Sequence, residues 1–229
     1  MNFLDCIPED VMYNYIIPFL GSYTGIICYV NRNLYKYFRN KVPKLKIKDF
    51  VNSIESIKWA YYNNCIWNEW TSAIIAENGN LEVLKWAWKN NCLWNEWTCA
   101  NAAENGHLNV LKWARKNGCF WDEYTCSLAA KNGHLEILKW ARENGCPWDY
   151  YVCSKAAGNG HLNVLKWARE NGCQWNSHVC TIAAGNGHVE ILKWLRENGC
   201  PFDEYTYSWA AQNGHLEILR WLRENGFRL

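Results

Sequence analysis

The chain has little net charge of either sign. Its 229 residues include 24 basic and 22 acidic side chains, so the formal net charge is only +2. A nucleic-acid-binding domain usually carries a clear basic excess, and an anionic membrane surface attracts basic segments. The balanced charge therefore argues against nucleic acid and against a membrane surface as partners.

The sequence also shows no long apolar run and no signal-peptide pattern. No stretch is apolar for the roughly eighteen residues that a transmembrane helix needs. The N-terminus, MNFLDCIPED, has acids where a signal peptide has basic and then apolar residues. We therefore expect a cytoplasmic protein, in which the twelve cysteines are reduced thiols.

Catalytic motifs are missing as well. The chain has no Gly-rich phosphate loop, no nucleophile motif and no carboxylate pair that occurs only once. An active site needs one asymmetric set of groups, whereas the chemically reactive residues here recur many times. The sequence therefore predicts neither an enzyme nor a bound cofactor.

What the chain has in excess is tryptophan, with 16 residues, and seven of these keep a period of 27 residues. They are Trp59, Trp86, Trp113, Trp140, Trp167, Trp194 and Trp221. Gly-His pairs from Gly106 onward and cysteines from Cys65 onward keep the same period. From about residue 52 the chain is one tandem array.

Each unit of the array predicts two short helices. An Asn or Asp opens the first helix as an N-cap, which we expect over Glu123 to Lys131 in one copy. Asn132-Gly133 ends it, because glycine accepts the left-handed conformation of a C-cap. A second helix follows over roughly His134 to Asn144. Units this short must stack to bury their apolar faces, which predicts an all-α solenoid over residues 49–229.

The segment AAKNGHLEILKWARENG, Ala129 to Gly145, resembles the second half of an ankyrin repeat. The front half departs from that family, whose unit is about 33 residues, because Tyr124 to Ser127 replace its Thr-Pro-Leu-His stretch. Short repeats with Trp and Cys resemble those of large DNA viruses that infect protists. That resemblance implies the host cytoplasm as the location.

Residues 1–48 do not follow the repeat and predict a separate small helical module. Ile7-Pro8 followed by apolar residues at helical spacing resembles an F-box, which docks on the small adaptor of cullin-type ubiquitin ligases. The resemblance implies an adaptor-binding face made of Ile7, Pro8, Val11, Ile16, Phe19, Leu20 and Val30. Alternatively, these helices only cap the array. The basic run from Arg39 to Phe50 predicts a solvated linker.

Three residue types in the repeat could suggest a chemical site. Cysteines pair at seven-residue spacing, as in Cys119 and Cys126, which is unlike a zinc knuckle, so we expect buried apolar fillers and no metal. The histidines, such as His134, recur once per unit and are expected to stabilise a turn. The Trp140 column, meaning the tryptophans at the equivalent position of each repeat, predicts packing between repeats. A stacking surface for bases or sugars is the lesser alternative.

Some equivalent positions carry a different residue type in each repeat. Such variable columns are free to recognise a partner, unless their variation is neutral substitution on a solvated face. The expected target-binding residues are Asn101, Leu128, Lys131, Tyr150, Lys155, Ile182 and Trp209. In a solenoid such columns line one extended surface that suits a protein. The leading hypothesis is a monomeric adaptor that recruits a target protein to a cullin-type ubiquitin ligase. The alternatives are a stand-alone protein-binding scaffold and, third, a stacking-based nucleic-acid or glycan binder.

Overall fold

A computed structural model describes residues 47–62 and 68–227 of the chain. The described residues fall into two compact units, divided between Leu93 and Trp94. The predicted F-box-like module, with all seven expected adaptor contacts, lies outside the described residues. Its boundary at residue 48 stays a prediction.

The described residues form thirteen α-helices and one 3-10 helix and contain no β-strand, so the all-α prediction is confirmed for them. The first unit contains the 3-10 helix Ile47–Asp49, α1 (Ile54–Tyr62), α2 (Glu69–Asn78) and α3 (Leu81–Lys89). Phe50 is buried, and its ring stacks on Trp59 with 5.4 Å between centroids. The basic run predicted as a solvated linker therefore ends inside this core.

The second unit is a stack of five helix pairs. The first helix of each pair is α4 (Glu96–Glu104), α6 (Glu123–Lys131), α8 (Tyr151–Gly158), α10 (Ser177–Gly185) and α12 (Glu204–Gln212). The second is α5 (Leu108–Lys116), α7 (Leu135–Glu143), α9 (Leu162–Glu170), α11 (Val189–Glu197) and α13 (Leu216–Glu224). Each first helix packs beside the first helix of the next pair. Residues 94–227 thus form the predicted solenoid.

The predicted N-caps are present in both units. The side chain of Asn95, for example, accepts a hydrogen bond from the Thr98 amide at 3.1 Å, which satisfies a donor that the helix leaves unpaired. An Asn or Asp side chain likewise caps α2, α6, α10 and α12. In the remaining repeat α8 begins at Tyr151, yet Asp149 still accepts from the Tyr151 amide at 2.9 Å.

Asparagine and glycine close the second helices. Asn144 donates from Nδ2 to the Trp140 carbonyl oxygen at 2.8 Å, and Gly145 follows with a φ of 80°. The left-handed region favours glycine because it has no Cβ. Asn91 holds the equivalent place after α3 and is the one non-glycine residue with positive φ in the described ranges.

Small side chains let the first helices come close. Ala129 and Ala130 have no exposed surface, like the matching alanines of α4, α8 and α10. Leu138 and its counterparts in the other second helices fill the core behind them. In α12 the second alanine of the column, Ala211, is exposed instead.

The histidines connect successive repeats instead of only stabilising a local turn. His134 Nε2 lies 3.0 Å from the Glu104 carbonyl oxygen, in the preceding repeat. His188 and His215 reach the carbonyls of Gly158 and Gly185 in the same way, at 3.1 and 2.9 Å. Because a carbonyl oxygen only accepts, Nε2 is the donor in each bond.

The tryptophans of the second helices lie at the edge of the core and are half-buried. Trp140 is half-buried and meets Trp121 edge-on, with centroids 5.7 Å apart. The guanidinium of Arg115, in the preceding repeat, lies 4.1 Å from the centroid of the same Trp121 ring. One tryptophan therefore joins two repeats by an aromatic and a cation–π contact. The arrangement recurs at Trp148 and Trp175.

The nine described cysteines are buried and free, as the filler interpretation predicted. The contact, however, is not between cysteines seven residues apart. A hydrogen bond with Cys146 and then burial raise the pKa of Cys126, twenty residues earlier in the same repeat. Cys146 Sγ also lies 3.4 Å from the Asp122 carbonyl oxygen. Each loop thiol thus packs on the start of its own first helix.

Candidate protein-binding face of the first helices

Three positions on each first helix of the second unit lie on the same side of the helix. They follow the spacing i, i+4 and i+7, which brings residues to one face of a helix. We call this surface the first-helix face. Its ring row is Trp97, Tyr124, Tyr151, His178 and Tyr205; its middle row is Asn101, Leu128, Lys155, Ile182 and Trp209; its end row is Glu104, Lys131, Gly158, Gly185 and Gln212.

The ring row presents large aromatic side chains to solvent. Tyr124 is 52% exposed, Tyr151 44% and Tyr205 58%. Two rings of neighbouring repeats come together: Trp97 stacks on Tyr124 with 5.8 Å between centroids. Aromatic residues are enriched at the centres of protein interfaces, so this row is the strongest candidate for binding on the described surface.

Residues of the middle and end rows contact residues of the same two rows in the next repeat. Lys131 Nζ forms an ion pair with Glu104 Oε1 of the preceding repeat at 2.8 Å. Where the end row has glycine, a large middle-row side chain of the next repeat occupies the space: Ile182 covers Gly158, and Trp209 covers Gly185. Part of the variation in these columns therefore reflects packing between neighbouring repeats.

The structure places the seven predicted target contacts as follows. Lys155 and Trp209 are exposed, whereas Asn101, Leu128, Lys131 and Ile182 are half-buried, and all six lie on the first-helix face. The seventh, Tyr150, precedes α8 and stacks on Tyr151 at 4.4 Å. Their role in binding remains a prediction.

Sequence reasoning missed the ring row. Tyr124, Tyr151 and Tyr205 repeat regularly, and a regular aromatic column is equally typical of a buried core. The available signal was His178, the one polar ring in a column that is otherwise Trp or Tyr in the second unit. His178 is exposed.

The pKa values of two N-cap carboxyls near this face are shifted in opposite directions. Burial, together with the nearby carboxylates of Glu123 and Glu96, raises the pKa of Asp122. Burial also acts on Asp203, but hydrogen bonds from Ser177, Thr206 and Thr181 outweigh it and lower the pKa of that carboxyl. Burial therefore acts in both places, and the hydrogen bonds that Asp203 accepts account for the difference in direction.

The described residues hold no group of three or more His, Cys, Asp or Glu side chains arranged for a metal ion. No helix among them has the length and apolar character that crossing a bilayer requires.

The repeats are similar to repeats of known proteins in both structure and sequence pattern. The crystal structure of the human ASB11 ankyrin repeat domain superposes with a TM-score of 0.57 at 18% sequence identity, covering 69% of this chain and 84% of that one. No curated protein sequence matches significantly. The family model described as "Ankyrin repeats (3 copies)" matches residues 126–206 and 153–229. Residues 126–229 therefore match the ankyrin-repeat model, with a repeat of 27 residues.

Proposed function

We propose that the chain is a protein-binding adaptor that holds a target on its first-helix face. Ankyrin repeats indicate a scaffold for protein–protein interaction. The observation that carries the proposal is the ring row, where Tyr124, Tyr151 and Tyr205 stay exposed beside Trp209 on closely packed helices. Tyrosine and tryptophan are frequent hot spots in protein interfaces.

Photo-crosslinking in the producing cell tests this part. A photoreactive amino acid replaces Tyr124 or Trp209 in the full chain, and a matched control carries it at Glu143, an exposed residue of α7. We expect a discrete crosslinked protein from the first two positions and not from the control. Equal labelling at all three positions would contradict the proposal.

The finer proposal is that residues 1–48 attach the array to a cullin-type ubiquitin ligase. Its support is the resemblance of Ile7-Pro8 and the apolar residues after it to an F-box. The array would then present its target for ubiquitination, by the host's ligase if the chain is viral. The alternative is a stand-alone scaffold that binds or masks its partner.

Co-purification with the ligase adaptor separates these two functions. The full chain is compared with a variant in which Ile7, Pro8 and Leu20 are polar, and with the Tyr124→Ala variant as a control. We expect the first variant alone to lose the adaptor. Capture that is absent from wild type, or unchanged in the first variant, would leave the stand-alone scaffold.

A further inference from the structure

Exposed carboxylates border the ring row. Three of its five rings directly follow a glutamate along the helix, in the pairs Glu96-Trp97, Glu123-Tyr124 and Glu204-Tyr205. All three glutamates are exposed, and none of them forms an ion pair within the described part of the chain. Each pair thus places an exposed carboxylate and an aromatic ring in the first turn of the same helix.

The cations on the same face do not neutralise these pairs. Lys131 is already held by Glu104, at 2.8 Å between Nζ and Oε1. Lys155 is exposed on α8, in the middle of the unit, where the residues at the acidic position are Tyr150 and Ser177. The face therefore has an acidic aromatic patch on α4 and α6, a second patch on α12, and a centre without acidic side chains in its three rows.

This combination selects cationic side chains. A guanidinium or ammonium over an aromatic face gains cation–π attraction, and a carboxylate in the same helical turn attracts the same cation. Phosphate groups would be repelled by the same carboxylates, which excludes the backbone of a nucleic acid as occupant.

We infer that the first-helix face binds a basic segment of the target protein, with Arg or Lys side chains on the rings of Trp97, Tyr124 and Tyr205. The inference rests on the proposed protein-binding function and adds the chemical class of the partner. Lys155 repels cations at the centre, so the basic residues of the segment fall into two groups.

The separation of the patches sets the length of that segment. Packed helices lie about 8–10 Å apart, so the three steps from α6 to α12 span roughly 25–30 Å. An extended chain rises about 3.3 Å per residue. The two basic groups should therefore be separated by roughly eight or nine residues.

Selection from a displayed library of random 16-residue peptides, with the full chain as bait, tests the inference. We expect the recovered peptides to be enriched in Arg and Lys. The double variant Glu96→Gln and Glu123→Gln should bind them roughly tenfold more weakly, about the free energy of one charge-assisted contact. The matched control, Glu143→Gln with Glu170→Gln, removes two exposed carboxylates from the second helices and should bind normally.

A third variant, Tyr124→Ala with Trp209→Ala, separates failure of the inference from failure of the proposed function. If neutral or acidic peptides are recovered and this variant abolishes their binding, the basic partner is wrong and the protein-binding face stands. If no peptide is recovered, or none depends on any residue of the face, both proposals are overturned.

Discussion

Trp209 packs over Gly185 so closely that a Cβ placed on the glycine would lie 2.8 Å from the ring atom Cε3. Gly185→Ala should therefore displace the ring, and overpacking of this kind costs about 1–3 kcal/mol. In a Trp209→Ala background the same change should stabilise the chain by about 0.5–1 kcal/mol, because alanine is the better helix former. Urea unfolding of the four chains measures this double-mutant cycle.

The sign reversal is what distinguishes a packing contact from a local effect on α10. If Gly185→Ala has the same effect on the free energy of unfolding with and without Trp209, the ring does not constrain that position. Gly158 and Ile182 provide an independent repetition, since a Cβ on Gly158 would also clash with the next repeat.

The histidine bonds between repeats predict a clear difference between two histidines. His188→Ala leaves the Gly158 carbonyl without its 3.1 Å donor and should lower the free energy of unfolding by about 1–2 kcal/mol. His178→Ala removes an exposed ring and should change it by less than about 0.5 kcal/mol. Equal urea midpoints for the two variants would refute the structural role of His188.

The buried thiols should resist alkylation in the native state. Burial raises the pKa of Cys92 to about 12. Hydrogen bonds to neighbouring cysteines, and then burial, also raise the pKa values of Cys99, Cys126, Cys153 and Cys180. Thiolate, the reactive form, is therefore scarce at neutral pH. Peptide mapping after iodoacetamide at pH 8 should find these five residues unmodified until urea is added. Rapid native labelling of any of them would contradict their burial.

The opposite pKa shifts of Asp203 and Asp122 predict that replacement by asparagine has opposite effects on stability at the two positions. Asp203 has a lowered pKa, so its carboxylate stabilises the fold above the pKa of the unfolded chain, about 3.9, and this contribution is lost as the pH falls through the folded value. Asp122 has a raised pKa, so its charge destabilises the fold at neutral pH. Asparagine keeps the N-cap in both places.

At pH 7, Asp203→Asn should lower the urea midpoint and Asp122→Asn should raise it. Each change should be under about 1 kcal/mol, because solvent screens both carboxyls. Both differences should shrink at a pH below both folded pKa values, where the wild-type carboxyls are also neutral. Shifts of the same sign at pH 7 would contradict the assignment.

Local features of the array could be predicted from sequence because their causes are local. Helix α6 begins and ends where the N-cap Asp122 and the C-cap Asn132 predicted, and α7 differs from its expected bounds by one residue at each end. Capping and glycine conformation depend on neighbours along the chain, so the period of 27 residues was enough to place them.

Contacts across repeats could not be predicted in the same way. The bond from His134 to Glu104, thirty residues earlier, depends on how closely two helix pairs stack. The exposure of Tyr124 likewise depends on which side of α6 the neighbouring helices cover. A sequence pattern records that a column is constant or variable, but it does not record the distance between columns.

The histidine bonds also give the array a direction. The carbonyl at the end of α8 gains its donor only from His188, in the repeat that follows, and the carbonyl of α10 gains its donor from His215. In each of these two cases the earlier repeat gains its donor from the repeat that follows it. A chain emerging from the ribosome would finish each repeat one step late, and forced unfolding from the two ends should require different forces.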